Sequence, residues 1–168
     1  MIRLALPSDL ACLPDIERSA AARFRGTAVA WAADGDPLPP GELAAALAAG
    51  LLWVAQLDAE VRGFALARPM GGDLFLAEMS VALPWQGLGL GRALIRAVLA
   101  HARAAGGYGA VVLTTDRELP WNAPFYRRQG FIELTPPLPL LLQARLRAES
   151  DAGFDAARRC AMAHPLGA

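Results

Sequence analysis

The sequence predicts a single domain, residues 1–168, of mixed α/β class. Its centre is a mostly antiparallel sheet with helices on its faces and one parallel strand–helix–strand crossover. Three observations predict this. The chain has 168 residues, 55 % of them hydrophobic, enough for one sizeable core and too apolar for intrinsic disorder. Apolar runs of strand length follow one another through residues 51–82 with only short turns between them, which is a meander. A helix-length segment opened and closed by glycines then leads to another apolar run, a connection that places the two flanking strands in parallel.

The elements follow in order. Residues 2–6 read as a short strand. Ser8 or Asp9 then caps a helix to about Phe24, with Glu17 and Arg18 on its wet side. Residues 26–41, with Gly26, Gly35, Pro37, Pro39, Pro40 and Gly41, form a loop of the length that is usually functional or mobile. Glu42–Ala49 is a helix stopped by Gly50. Leu51–Leu57 and Val61–Arg68 are strands joined at Asp58-Ala59-Glu60, and Gly71-Gly72-Asp73 turns into a third, Leu74–Ala82. After the glycine turn comes a helix of about 91–105, ended by Gly106-Gly107, and then the strand Ala110–Thr114. A short helix at 120–129, a strand Phe131–Leu134, a helix near 138–150 and a last strand at Arg158–Ala163 complete the chain. Leu138, Leu141 and Leu142 lie near one face of the penultimate element. They suit a homodimer interface or packing onto the chain's own sheet.

Charge and cysteine content narrow the function. Sixteen basic residues, all Arg, balance sixteen acidic ones, so nothing draws the whole chain to nucleic acid or to an anionic membrane. Cys12, read as facing a helix interior, and Cys160, on the tail strand, make neither a disulfide framework nor a metal cluster. There is no signal-peptide pattern and no membrane-length apolar run, which gives the expectation of a cytoplasmic protein. The charge is nevertheless uneven. Residues 26–61 hold Asp34, Asp36, Glu42, Asp58 and Glu60 and no base, whereas residues 87–128 hold six Arg against Asp116 and Glu118. An anionic ligand at the basic half and a cationic one at the acidic loop would fit; so would plain solvated faces. Trp31 with Asp34 and Asp36 has the chemistry to hold an ammonium group, while packing of Trp31 onto the body is the plainer expectation.

The segment Gln86-Gly87-Leu88-Gly89-Leu90-Gly91-Arg92 lies between a strand and a helix. Glycines there let successive N–H groups converge, and the helix dipole adds positive potential, so a diphosphate fits. Arg92 in the first helical turn costs about 0.3–1 kcal/mol against that dipole, a sign that a bound anion reverses. A Walker loop is excluded because the chain has no Lys, and a Rossmann turn fits poorly because three strands precede the glycines and their spacing differs.

Gln86-x-x-Gly89-x-Gly91 resembles the acetyl-CoA signature Q/R-x-x-G-x-G/A of the GCN5-related N-acetyltransferase (GNAT) superfamily. Asn122 and Tyr126-x-x-x-Gly130-Phe131 resemble the family's distal segment, and the opening Ile2-Arg3 strand also agrees. The likeness covers about residues 1–135. One departure is Pro84, which stands two residues before Gln86 where the family usually has three. The resemblance implies acetyl-CoA as co-substrate and no metal. Pantetheine would lie in a split beside Glu78–Ala82, bonded by backbone groups at Met79 and Val81. The pyrophosphate would rest on N–H groups of Gly87, Leu88, Gly89, Leu90, Gly91 and Arg92.

The implied reaction is attack of a primary amine, of a small molecule or a peptide, on a thioester. Its alternative is a non-catalytic acyl-CoA-binding or sensor domain. The amine must shed a proton held with a pKa near about 10.4, and the thiolate leaving group, pKa about 8.5, benefits from gaining one. Tyr126 stands at the family's acid position, with a packed aromatic as the plain alternative. Glu78, an acid in an apolar strand, is the candidate base acting through water, or else a strand-edge carboxylate. Asn122 binds the pantetheine arm or caps the short helix.

Overall fold

The computed structural model describes residues 1–167. Seven strands form one mixed sheet in the order β1-β2-β3-β4-β5-β7-β6. They are β1 (Ile2–Leu4), β2 (Leu52–Leu57), β3 (Glu60–Met70), β4 (Asp73–Val81), β5 (Ala110–Asp116), β6 (Ile132–Glu133) and β7 (Arg159–Pro165). Five α-helices accompany them: α1 (Leu13–Ala21), α2 (Pro40–Ala48), α3 (Leu90–Ala105), α4 (Ala123–Arg128) and α5 (Leu140–Asp151). The chain divides into two units, Met1–Arg68 with Ala77–Ala100, and Pro69–Leu76 with the residues from His101 onward.

In the first unit β2 pairs antiparallel with both β1 and β3, with a register shift between Ala55 and Gln56. Leu52, Trp53, Val54 and Ala55 are all buried, which is why β2 reads as a continuous apolar run and not an alternation. Asp58 and Ala59 make the predicted hairpin turn with positive φ at both (50° and 64°), the conformation that two-residue hairpins require. The core joins Leu13 and Ile16 of α1 and Leu43 and Ala46 of α2 to Leu52, Val54, Phe64 and Leu66. Gly63 is there because β3 runs against β4: a Cβ would lie 2.8 Å from the Ser80 carbonyl oxygen and 3.3 Å from Val81 Cα. Gly63→Ala is therefore expected to lower stability by about 1–3 kcal/mol in urea unfolding, the usual cost of overpacking. An unchanged midpoint would mean the strands give way freely.

The helix expected from Ser8 or Asp9 to Phe24 is broken into three pieces. Pro7–Cys12 is 3-10 helix, α1 follows, and Ala22–Phe24 is 3-10 again. Pro14 explains the first break, since its ring and missing N–H are tolerated only in the opening turn of an α-helix. Asp9 does not cap this helix in the expected way. Its carboxylate accepts the Leu6 N–H at 2.7 Å and both ends of the Arg3 guanidinium at 2.7 and 3.0 Å. Cys12 is exposed, not turned into a helix interior, and Glu17 is half-buried, not wet. The loop 26–41 contains a 3-10 turn at Ala30–Asp34, and α2 starts at Pro40, because Pro suits the first helical position.

In the second unit β4 and β5 are parallel, Leu74 opposite Val111 and Phe75 opposite Val112, as the crossover predicts. The tail strand β7 is inserted between β5 and β6, antiparallel to both, and extends to Pro165. Two buried carboxylates fix it. Asp116 accepts Arg158 at 3.0 and 3.1 Å and the N–H groups of Glu118 and Leu119 at 2.8 Å. Glu149 of α5 accepts Thr114, Arg145 and Arg159 at 2.6, 2.8 and 2.9 Å. Leu142 is buried, while Leu140 and Leu141 are exposed, so the leucines of this segment face opposite ways.

Candidate active site

In the first unit the end of β4, a 3-10 turn at Leu83–Trp85, the glycine turn and the start of α3 follow without interruption. Gly87 and Gly89 have φ of +80° and +85°, a region that costs any other residue strain, and a Cβ on either would meet nothing within 4 Å. The turn thus borders open space with a backbone conformation that glycine alone supplies cheaply. Gly89 carbonyl accepts the Ala93 N–H at 3.0 Å, so α3 begins directly on the turn. The first N–H groups of a helix have no intrahelical acceptor and face the space before it. Arg92 lies exposed in that first turn. These features suit an anion.

The turn is braced from α1 and from the 3-10 turn Ala22–Phe24 that follows it, which no local sequence pattern announces. The Arg23 guanidinium donates to Gln86 Oε1 at 2.7 Å, and Gln86 Nε2 donates to the Val81 carbonyl at 2.8 Å. Ser19 Oγ accepts the Leu83 N–H at 3.0 Å. Arg62 lies over the Trp85 ring at 4.5 Å and ties β3 to the same segment. Of the backbone groups expected beside pantetheine, the Met79 N–H bonds Glu78 Oε1 at 3.0 Å, and the Val81 carbonyl takes the Gln86 side chain.

Glu78 is half-buried on β4, and its Oε1 also accepts the Ser80 hydroxyl at 2.8 Å. On α1, Glu17 accepts the Leu38 N–H at 3.0 Å. Burial pushes the Glu17 carboxyl up to about 7, and the Glu78 and Glu42 charges add to this against the Leu38 N–H and Arg18. The sequence carried a signal for Glu17: with Leu13, Ile16 and Ala20 it completes one helical stripe, so the acid sits on the apolar face. Trp31 and Asp34 are exposed residues of the turn Ala30–Asp34, in which Ala33 is buried. Asp34 is paired with Arg25 at 3.0 Å, and Asp36 is exposed in the loop beyond.

In the second unit Asn122 occupies the N-cap position of α4, yet its side chain makes no capping bond; its backbone carbonyl accepts the Tyr126 N–H at 3.0 Å. The Tyr126 ring meets Phe125 and Phe131 edge-on, at 5.3 and 5.6 Å, and Phe131 meets His164 of β7 at 5.4 Å. Gly130 has φ +89°, and a Cβ there would crowd His164 at 3.1 Å, which accounts for the Gly-Phe pair. Among the described residues no group of His, Cys, Asp and Glu is arranged to hold a metal ion, and no helix is long and apolar enough to cross a membrane.

Comparison with known proteins gives a family and a fold. The family model described as Acetyltransferase (GNAT) family matches residues 16–131. Among solved structures, Ard1 from Thermoplasma volcanium superposes with a TM-score of 0.71 at 15% identity, covering 100% of this chain and 98% of that one. The ribosomal-protein-S18-alanine N-acetyltransferase from Escherichia coli gives 0.68 at 18% identity, with 100% and 94% covered. PaiA N-acetyltransferase from Thermoplasma acidophilum, in complex with coenzyme A, gives 0.71 at 14% identity, with 98% of both chains covered.

Proposed function

Because the chain belongs to the GNAT acetyltransferase family, we propose that it is an acetyl-CoA-dependent N-acetyltransferase acting on a primary amine by direct attack in a ternary complex. The observation that carries this reading is the open glycine turn at the head of α3. The N–H groups from Gly87 to Arg92 hold the diphosphate, with the Arg92 charge opposite it. The pantetheine arm runs beside Met79 and Val81 and is held by Asn122. When bound, acetyl-CoA supplies an activated thioester carbonyl and a thiol leaving group.

The chain's own residues then manage two protons. Glu78, its carboxylate oriented by the Met79 N–H and the Ser80 hydroxyl, draws a proton from the incoming ammonium through water. Tyr126, its ring fixed between Phe125 and Phe131, donates a proton to the departing sulfur. Trp31, Asp34 and Asp36 stand on the acceptor's approach. Release of free CoA thiol from acetyl-CoA, measured with a panel of alkylamines, amino acids and peptides, tests the reading. Amine-dependent release is expected. Tight CoA binding with no release from any amine would instead mark an acyl-CoA-binding domain without catalysis.

A further inference from the structure

The Gln86 side chain stands in the middle of a chain of hydrogen bonds that leads to the glycine turn. From the 3-10 turn Ala22–Phe24, the Arg23 guanidinium donates to Gln86 Oε1 at 2.7 Å, and Gln86 Nε2 donates to the Val81 carbonyl at 2.8 Å. A guanidinium only donates and a carbonyl only accepts. An amide held between them has one allowed orientation, oxygen toward Arg23 and nitrogen toward Val81. Turned over, it would set its NH2 group against the guanidinium and its oxygen against the carbonyl. Arg23 and Gln86 are both half-buried, and one partner is charged, so this bond is worth more than an exposed neutral one.

The bond from Gln86 to Val81 reaches back five residues and closes the segment between β4 and the turn. Within that segment the Trp85 N–H donates to the Ala82 carbonyl at 2.8 Å, and from α1 Ser19 Oγ accepts the Leu83 N–H at 3.0 Å. Gly87, with φ +80°, follows Gln86 directly. The direction in which the backbone enters the turn is therefore set at Gln86, one residue before the first N–H group assigned to the diphosphate.

We propose that Arg23 is a positioning residue for the cofactor. By fixing the Gln86 amide it holds the entry to the glycine turn in the shape that receives the CoA diphosphate, and positions 23 and 86 form a matched donor–acceptor pair. This rests on the reading of the turn as the CoA site. Arg23 acts through Gln86 and takes no part in moving the acetyl group, so its effect falls on cofactor affinity. The matching has a direct consequence. An arginine at position 86 would still donate to the Val81 carbonyl, but it would meet Arg23 with a second positive charge and no acceptor. A glutamine at position 23 would supply the oxygen that such an arginine lacks.

Calorimetry with CoA tests this on the whole chain. Arg23→Met and Gln86→Met should each weaken binding at least about tenfold, and the double variant should stay within about twofold of the weaker single one, because each change breaks the same chain. Gln86→Arg should also weaken binding, although it adds positive charge beside a site for an anion. Adding Arg23→Gln to it should bring the affinity back to within about threefold of wild type. Charge alone predicts the opposite sign, since taking away an arginine would then weaken the binding of an anion. Where Arg23→Met unfolds, as urea unfolding would show, the comparison of Gln86→Arg with the swapped pair decides.

Thiol release at saturating amine adds a second readout. In Arg23→Met the KM for acetyl-CoA should rise about as much as the Kd for CoA, with kcat within about twofold of wild type. Unchanged CoA affinity in Arg23→Met, additive losses in the double Met variant, or a swapped pair no better than Gln86→Arg alone would overturn the role of Arg23 and leave the CoA site standing. A wild type that binds no CoA would overturn both. The binding arms need no turnover, so they read the same whether or not any amine is acetylated.

Discussion

Gly89→Glu is expected to abolish CoA binding. Wild-type affinity for CoA should be micromolar, about −7 to −8 kcal/mol by calorimetry. Gly89 has φ +85°, so any side chain imposes strain of about 1–2 kcal/mol, and its Cβ projects into open space at the head of α3. A carboxylate there would stand where the diphosphate belongs and would satisfy the same helix dipole that should attract the ligand. The expected loss is at least about a hundredfold, which puts binding out of calorimetric reach. Gly50→Glu is the matched control. It has φ +68° and nothing within 4 Å of a Cβ, and it ends α2 and not the turn. It should bear similar strain and keep CoA affinity. Normal CoA binding by Gly89→Glu would remove the turn from the cofactor site.

Tyr126→Phe should lower kcat by about a hundredfold with CoA affinity nearly intact. The ring keeps its edge-on contacts with Phe125 and Phe131, so the substitution removes a proton donor and little packing. General acids contribute about 10²–10⁴-fold, and the low end applies because a thiolate is already a fair leaving group near neutral pH. Its effect and that of Glu78→Gln touch different proton transfers of one reaction and need not add. Full turnover by Tyr126→Phe with a good amine would make the phenol a packing residue and leave the turn's assignment untouched.

The elements were legible where one physical rule governs. The meander, the parallel crossover and the helix after the glycine turn are fixed by apolar run length, turn chemistry and chain connectivity, and all stand in the structure. What the sequence hid depends on neighbours remote in the chain. Pro14 breaks the first helix although Ser8-Asp9 is a good helix start, because Asp9 is instead captured by Arg3 and Leu6. The tail strand's place between β5 and β6 follows from the anchors Arg158–Asp116 and Arg159–Glu149, pairs that no local pattern announces. At the site the glycine turn was visible because positive φ demands glycine. Glu17 is half-buried and not on the wet side, as its spacing from Leu13 and Ile16 on one helical stripe allows. Arg23 was invisible, since nothing in its own surroundings points to Gln86.

The most direct test of the account follows the acetyl group itself. Acetyl-CoA labelled with radioactive carbon in the acetyl group is incubated with the wild-type chain and a primary amine that supports thiol release, and label is counted in protein, amine and residual thioester. Direct transfer in a ternary complex predicts label in the amine in equal amount to the thiol released, none left covalently on the protein, and intersecting double-reciprocal kinetics. Label retained on acetyl-CoA while calorimetry shows it bound, or label trapped on the protein, would contradict it.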